Sequence, residues 1–400
     1  MARTAMDDEA RRRIFIAKQN AGNGKGGPVI FDSTAMPNNF DMRRPSGIMQ
    51  LDIDTGGGLP TGAPSVIAGP DNAGKTMLLY HYYALAQRIY GERCCIAHAP
   101  VEGPPDYMFM RKCGYIVALP EPIIDRMDEK RVRRGLPKLT KEERKELRRQ
   151  VGNFDIFHHP VGEKLFDLVL DAIDANFYQF VGVDSVQAVQ SEAEMSCESL
   201  TDHPQQAADA VMLTRFFKKY FDTMFPKDGE LRITSLVLIS QVRGNRKKSE
   251  ASSFMAKFIP DYVATGAWAL KHGKFIEIML SPGSKIKKGK DKSETLGKVI
   301  KWYMTKAKGG SHDNVTGEVD FEYETLLDVT STLLTEAVKL GLITESKTEV
   351  LVRRTYGGTP LAKYPNMQAL RDALEADIDL NLDLRIEVLE AAGVKECVYR

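Results

Sequence analysis

The chain has 400 residues, 43% of them apolar, enough to bury a sizeable core spread over two or three domains. Its 55 Lys and Arg against 54 Asp and Glu leave a formal charge of +1, so contact with a polyanion must come from local basic patches. No apolar run approaches the roughly 20 residues that cross a bilayer, the opening MARTAMDDEARRR lacks the apolar stretch of a signal peptide, and Cys94, Cys95, Cys113, Cys197 and Cys397 follow no zinc-ligand spacing. These features predict a cytoplasmic protein with free, buried thiols.

In chain order, residues 1–45 read as an arm and linker: a short amphipathic helix carrying Ile14, Phe15 and Ile16, then the hinge AGNGKGG. A helix this short is marginal alone and is expected to dock on its own core or on a neighbouring subunit. Residues 46–325 alternate apolar strand-like runs with amphipathic helices. The strands are APSVIAG, CCIAHAP, FYQFVGVDS, TSLVLISQ, KFIEIML and KVIKWYMT. This pattern predicts an α/β core, a mostly parallel sheet with helices on both faces. Residues 122–151 interrupt it with dense charge of both signs, and Thr140 with Glu143 forms a capping box for a helix to about Gln150. That insertion suits either a solvated charged helix or a dedicated contact with DNA or a partner. Residues 326–400 change texture to acidic helical segments and read as a small C-terminal α/β domain.

Gly69, Pro70, Asp71, Asn72, Ala73, Gly74, Lys75 and Thr76 spell a G-x-x-x-x-G-K-T loop between a strand and a helix. In that context backbone N–H groups face phosphate oxygens, Lys75 reaches the β- and γ-phosphates, and Thr76 places its hydroxyl on Mg²⁺. Asp184, closing the apolar run FVGVD, is the acid expected to hold the metal through water. The loop and acid together imply a nucleoside triphosphate with Mg²⁺.

The order SGIMQLDIDTGGGLPTGAPSVIAGPDNAGKT, VEGPPDYMFMRKCGY, VGVDSVQAV, LVLISQVR, ATGAWALK and TKAKGG resembles bacterial RecA and its phage relatives of the UvsX type. LGLITESKTEVLVRRTYGGTPLA extends the resemblance, more weakly, into the C-terminal part. It implies a RecA-like P-loop ATPase that uses ATP and Mg²⁺. Such a protein forms helical head-to-tail filaments on single-stranded DNA and exchanges strands with a homologous duplex in recombination and repair. Glu102 then matches the glutamate that activates the attacking water, and Gln241 the glutamine that senses the γ-phosphate. Asp106 and Phe109 match the adenine-contacting pair, with Phe where a tyrosine is often found; Met77 and Tyr323 join the nucleotide contacts.

Lys306 and Lys308 match the lysines that reach ATP on the neighbouring subunit; at i and i+2 on a strand they share a face. The resemblance puts DNA loops at about 192–209 and 243–264. The second carries Arg243, Arg246, Lys247, Lys248 and Lys257 with Phe254, Met255 and Phe258, cations interleaved with stacking or wedging side chains that suit sequence-tolerant single-strand binding. The differences from the bacterial pattern, Pro204 and Gln205 in the first loop, a longer second loop, His272 after Lys271 and the charged insertion, point to a phage-encoded member acting in the host cytoplasm. Single-strand-binding and mediator proteins are the expected accessory partners. The competing readings are a ring-forming motor such as a helicase and a non-hydrolysing mediator paralogue.

Overall fold

The computed structural model describes residues 17–19, 42–197, 208–224, 232–244, 262–264, 268–288, 294–309, 312–324, 326–346, 349–352 and 362–394. Ile14, Phe15 and Ile16 of the predicted arm helix lie outside these residues. Strand β1 (Arg43–Arg44) and helix α1 (Met49–Asp54) lead to β2 (Leu59–Pro60), which pairs with β1, and then to β3 (Ser65–Gly69). Next come α2 (Lys75–Tyr90), β4 (Cys95–Pro100), α3 (Tyr107–Lys112), α4 (Glu121–Arg133), α5 (Lys141–Leu147), β5 (Asn153–Ile156), α6 (Gly162–Ala175) and β6 (Phe180–Asp184). Helices α7 (Glu192–Met195) and α8 (Ala208–Thr223) precede β7 (Ser235–Gly244) and β8 (Tyr262–Ala264). Helix α9 (Trp268–Gly273) is followed by β9 (Ile276–Lys288), β10 (Glu294–Lys306), β11 (Thr316–Glu322) and β12 (Leu326–Leu327).

These strands form one sheet in the order β12-β11-β10-β9-β3-β7-β6-β4-β5, with β8 on β7. From β5 to β9 every neighbour is parallel, while β10, β11 and β12 continue it antiparallel. The α/β class expected from the alternating pattern is therefore the one observed. Strand alternation explains the two-faced core: Ile67, Ile96, Phe180, Val237 and Ile278 pack under α2, while Val66, Ala97, Val181, Leu238 and Val183 pack under α6 and α8.

The charged insertion is a helical hairpin, α4 and α5, rather than a single helix. The capping box forms as the spacing predicts, yet α5 stops at Leu147, short of Gln150. Leu119 N–H donates to the Leu147 carbonyl at 2.9 Å, closing the hairpin, and the Gln87 amide clamps its base through Ile116 and Val151.

Beyond β12 lie α10 (Val329–Lys339), a three-stranded sheet of β13 (Ile343–Glu345), β14 (Val350–Val352) and β15 (Ala362–Tyr364), then α11 (Met367–Ala376) and α12 (Ile378–Ala391). Their core of Leu333, Leu370, Leu374 and Val388 also takes in Met49 of α1. Arg385 of α12 is buried and donates to the Gly47 carbonyl (2.9 Å) and to Asn381 Oδ1 (2.8 Å). The Gly47 N–H donates in turn to Asp52, a buried carboxylate that also accepts from the Ser46 N–H and hydroxyl.

The thiol expectation needs correction. Cys94 and Cys113 are buried and free, and burial pushes both thiols up to about 12. Cys95, the first residue of β4, and Cys197, two residues past α7, are free but only partly buried, and Cys397 lies outside the described residues. Among the described residues no helix is long and apolar enough to cross a membrane.

Candidate functional site

The carboxyl ends of β3, β4, β6 and β7 come together because the register sets Gly69 beside Gln241 and Pro100 beside Asp184. In open parallel sheets this edge is where ligands bind. Buried β3 delivers the chain into the glycine-rich loop, and two glycines there have steric reasons. A Cβ on Gly69 would lie 2.7 Å from the Leu280 carbonyl oxygen. Gly74 has φ +97°, left-handed backbone that side-chain-bearing residues avoid. Gly74 is the N-cap of the 16-residue α2 and provides no side-chain cap, so the first-turn N–H groups face outward as an anion site.

Lys75 folds back across the loop, its Nζ donating to the Gly69 and Pro70 carbonyls at 3.0 and 2.8 Å. Burial lowers its pKa, and the charges of Asp71, Asp184 and Glu102 oppose that shift. Thr76 Oγ1 donates to Asp184 Oδ2 at 2.7 Å. Burial raises the Asp184 pKa, with Glu102 adding to the rise and Thr76 and Lys75 opposing it. No cluster of three or more His, Cys, Asp or Glu suited to a metal occurs among the described residues. One hydroxyl and one carboxylate beside an anion cradle fit Mg²⁺, a hard cation that keeps waters and shares phosphate oxygens.

Glu102 follows β4 and is bonded from two sides. Ser185 Oγ and Gln241 Nε2, the latter at 2.9 Å, both donate to its Oε1. Gln187 ties the next strand in: its Oε1 accepts from the Gln241 N–H (3.0 Å) and its Nε2 donates to Ser240 Oγ (2.7 Å). Sequence reasoning singled out Glu102, Asp184 and Gln241 but missed Ser185 and Gln187. Their signal was adjacency to Asp184 in VGVDSVQAV.

Beside the loop a cavity of about 260 Å³ lies between Met77 and Phe109 on one side and Lys298, Ile300 and Phe321 on the other. Lys298 Nζ donates to the Asn72 carbonyl and sits 5.9 Å from the Phe321 ring centroid. Lys298, Ile300 and Phe321 were not anticipated: they arrive from β10 and β11, more than 200 residues beyond the loop. Asp106 and Tyr323 do not line this cavity. Asp106 caps α3, its Oδ1 accepting from the Phe109 N–H at 2.9 Å. Tyr323 is half exposed, its ring 5.8 Å from that of Phe321. A larger cleft, about 500 Å³ between α1, β11 and α10, is lined by Glu318, Asp320, Asp328 and Glu336 and lies away from the loop. Its acids make it a poor phosphate site.

Lys306 and Lys308 do not meet their own chain's loop. Lys306 pairs with Glu277, and Glu277 with Val66, three residues upstream of Gly69. Lys306 is therefore about 10 Å back along the strands and two strands across. Its Nζ donates to the Lys271 and His272 carbonyls at 3.1 and 3.3 Å, and burial lowers its pKa, with the charges of Lys308 and Lys274 adding to the fall and Glu277 opposing it. Lys308 lies past the end of β10, 6.0 Å from the Phe275 ring, so the shared strand face expected for the two lysines is not formed.

Of the predicted DNA contacts, Arg243 belongs to β7, its backbone paired with Val263 of β8. Arg246, Lys247, Lys248, Phe254, Met255, Lys257 and Phe258 lie outside the described residues, as do Pro204 and Gln205.

No family model matches the chain. It is similar to the RecA protein of Petrotoga mobilis, 24% identical over 306 residues, 75% of this chain and 69% of that protein. The RecA protein of Oleidesulfovibrio alaskensis is 24% identical over 355 residues, 88% of this chain and 84% of that one. Among solved structures, that of the RadB recombinase covers 69% of this chain and 94% of its own, with 16% identity and a TM-score of 0.37.

Proposed function

We propose that this chain, a relative of bacterial RecA, is a DNA-dependent ATPase acting as a recombinase: it assembles head to tail on single-stranded DNA and promotes pairing and strand exchange with a homologous duplex. The reading is supported above all by the convergence of Lys75, the Thr76–Asp184 pair and the Glu102–Gln241 bond on one sheet edge. The residues divide the work as follows. The loop N–H groups and Lys75 hold the phosphates, and Met77, Phe109, Ile300 and Phe321 enclose the nucleoside. Thr76 and Asp184 would hold the cation, which would supply positive charge against the triphosphate.

Glu102 orients the attacking water and accepts its proton at the carboxylate oxygens. Gln241 passes the state of that carboxylate into β7 and the DNA-contacting segment after Arg243, since its amide exchanges Glu102 for phosphate oxygen. Lys306 and Lys308, remote from their own loop, act on the neighbouring subunit's triphosphate, which makes turnover depend on assembly. Single-strand-binding and mediator proteins assist, and the work is done in the cytoplasm.

The test is negative-stain imaging with single-stranded DNA, Mg²⁺ and a slowly hydrolysed ATP analogue, alongside phosphate release with ATP. Open helical filaments and DNA-stimulated release are expected. Closed rings mean a motor, and discrete particles without hydrolysis mean a mediator; either outcome overturns the reading.

A further inference from the structure

The α4–α5 hairpin carries eleven Lys and Arg and seven Asp and Glu between 121 and 150, and the structure sorts them. Arg144 of α5 lies over one face of α4 and pairs with Glu121 (2.9 Å), Asp125 (2.7 Å) and Asp128 (2.6 Å). Arg148 adds a second bond to Glu121, and Arg131 stands 3.9 Å from Glu143. These pairs consume most of the acids between the helices. At 100° per residue, Arg126, Lys130 and Arg133 fall within one sector of α4, opposite buried Ile124 and Asp128. Lys141 and Lys145 of α5 and Arg149 just past its end, the last 3.7 Å from Glu146, are spaced four apart on their own helix. All six are exposed.

The stripe carries no aromatic side chain, and residues 121–150 hold no Phe, Tyr or Trp at all. Base stacking, the usual means of gripping single strands, is therefore not provided. Apolar anchors of the kind that centre protein interfaces are also off the stripe: exposed Val132 sits on another side of α4, and Leu136 in the turn. What remains is a row of cations about 10 Å long, facing a polymer that carries one charge per about 1.7 Å. The hairpin joins the sheet at the amino end of the edge strand β5, whereas the loop and Arg243 lie at carboxyl ends.

We propose that the outer face of this hairpin is a second nucleic-acid surface, which takes the sugar-phosphate backbone of duplex DNA and is separate from segment 243–264. It rests on charge and shape alone and not on the ATPase reading, so either can fail without the other.

The test is the salt dependence of binding of the full-length protein to a labelled duplex without nucleotide, between about 50 and 200 mM salt. The variant Arg126→Gln/Lys130→Gln/Arg133→Gln keeps good helix formers at exposed positions. It should flatten the slope of log affinity against log salt by about 0.9 for each phosphate no longer neutralised, up to about 2.7 in all. Hydrolysis stimulated by single-stranded DNA should be unchanged. Glu129→Gln removes the acid 3.8 Å from Arg133 and should shift duplex affinity the opposite way, upward. An unchanged slope in the triple variant overturns the proposal. So does a poly-glutamate peptide that competes as well as duplex for the wild-type face, which would mark a site for an acidic protein.

Discussion

Arg385→Met keeps most of the side-chain volume while removing a buried cation, and the surroundings of Arg385 set the size of the effect. The Gly47 peptide is held on both sides, its carbonyl by Arg385 at 2.9 Å and its N–H by Asp52 at 3.0 Å. Burial pushes the Asp52 carboxyl up to about 6, opposed by the hydrogen bonds from Ser46 and Gly47 and by the Arg385 charge. A folded-state value above the unfolded one, about 3.9, means the folded chain binds the extra proton. This contribution is fully present below about pH 4 and is lost as pH rises through about 6. At about 1.4 kcal/mol per unit, the loss is about 3 kcal/mol.

The Met variant strips one of the groups that favour the ionised carboxylate, so the loss extends further up the pH scale. It also leaves the Gly47 carbonyl without its buried donor. Urea unfolding should show Arg385→Met costing about 1–3 kcal/mol at pH 5, where the unsatisfied carbonyl is the main loss, and more at pH 8, where the ionised Asp52 has also lost a nearby cation. Adding Asp52→Asn should recover part of the pH 8 deficit through a coupling of about 1–3 kcal/mol. Equal destabilisation at both pH values, or a cost under about 1 kcal/mol at pH 8, would refute the coupling of Arg385 to Asp52.

Lys75→Ala removes the charge that folds across the phosphate loop, and nucleotide affinity measured by calorimetry should fall by at least about tenfold; wild-type affinity would remove Lys75 from the site. Glu102→Gln keeps the shape and loses the base, so phosphate release should drop by about 10²–10⁴ with nucleotide affinity retained. Release near wild type would leave Glu102 a partner of Ser185 and Gln241 only. Lys306→Ala/Lys308→Ala protein, inactive alone, should regain partial hydrolysis when mixed with Glu102→Gln protein, because some interfaces then pair intact lysines with an intact glutamate. No recovery despite demonstrated co-assembly on DNA argues against action across the interface.

Local patterns made much of this legible. Apolar runs marked the six strands quoted from the sequence, and the G-x-x-x-x-G-K-T spacing marked the turn between β3 and α2. The Thr140–Glu143 box marked the start of α5. What stayed hidden depends on partners distant in sequence. Phe321 and Lys298 reach the cavity beside the loop only because β9 and β10 extend the sheet past β3. Arg144 finds three carboxylates on α4 only once the hairpin folds. The strand geometry read for Lys306 and Lys308 failed because β10 ends between them, a boundary set by pairing with β9 rather than by composition.

The placement of Lys306 has an arithmetic consequence. If the lysines of each copy complete the triphosphate site of the next, an open row of n copies completes n minus one sites, and the subunit at one end is always idle. Hydrolysis per protein should then climb with oligomer length and level off, and short DNA tracts should be poor stimulators even when fully coated. A closed ring of the same subunits has no end and would show no such climb. Turnover plotted against tract length thus reports on topology without an image being taken, because the strand register keeps Lys306 away from Gly69 of its own chain.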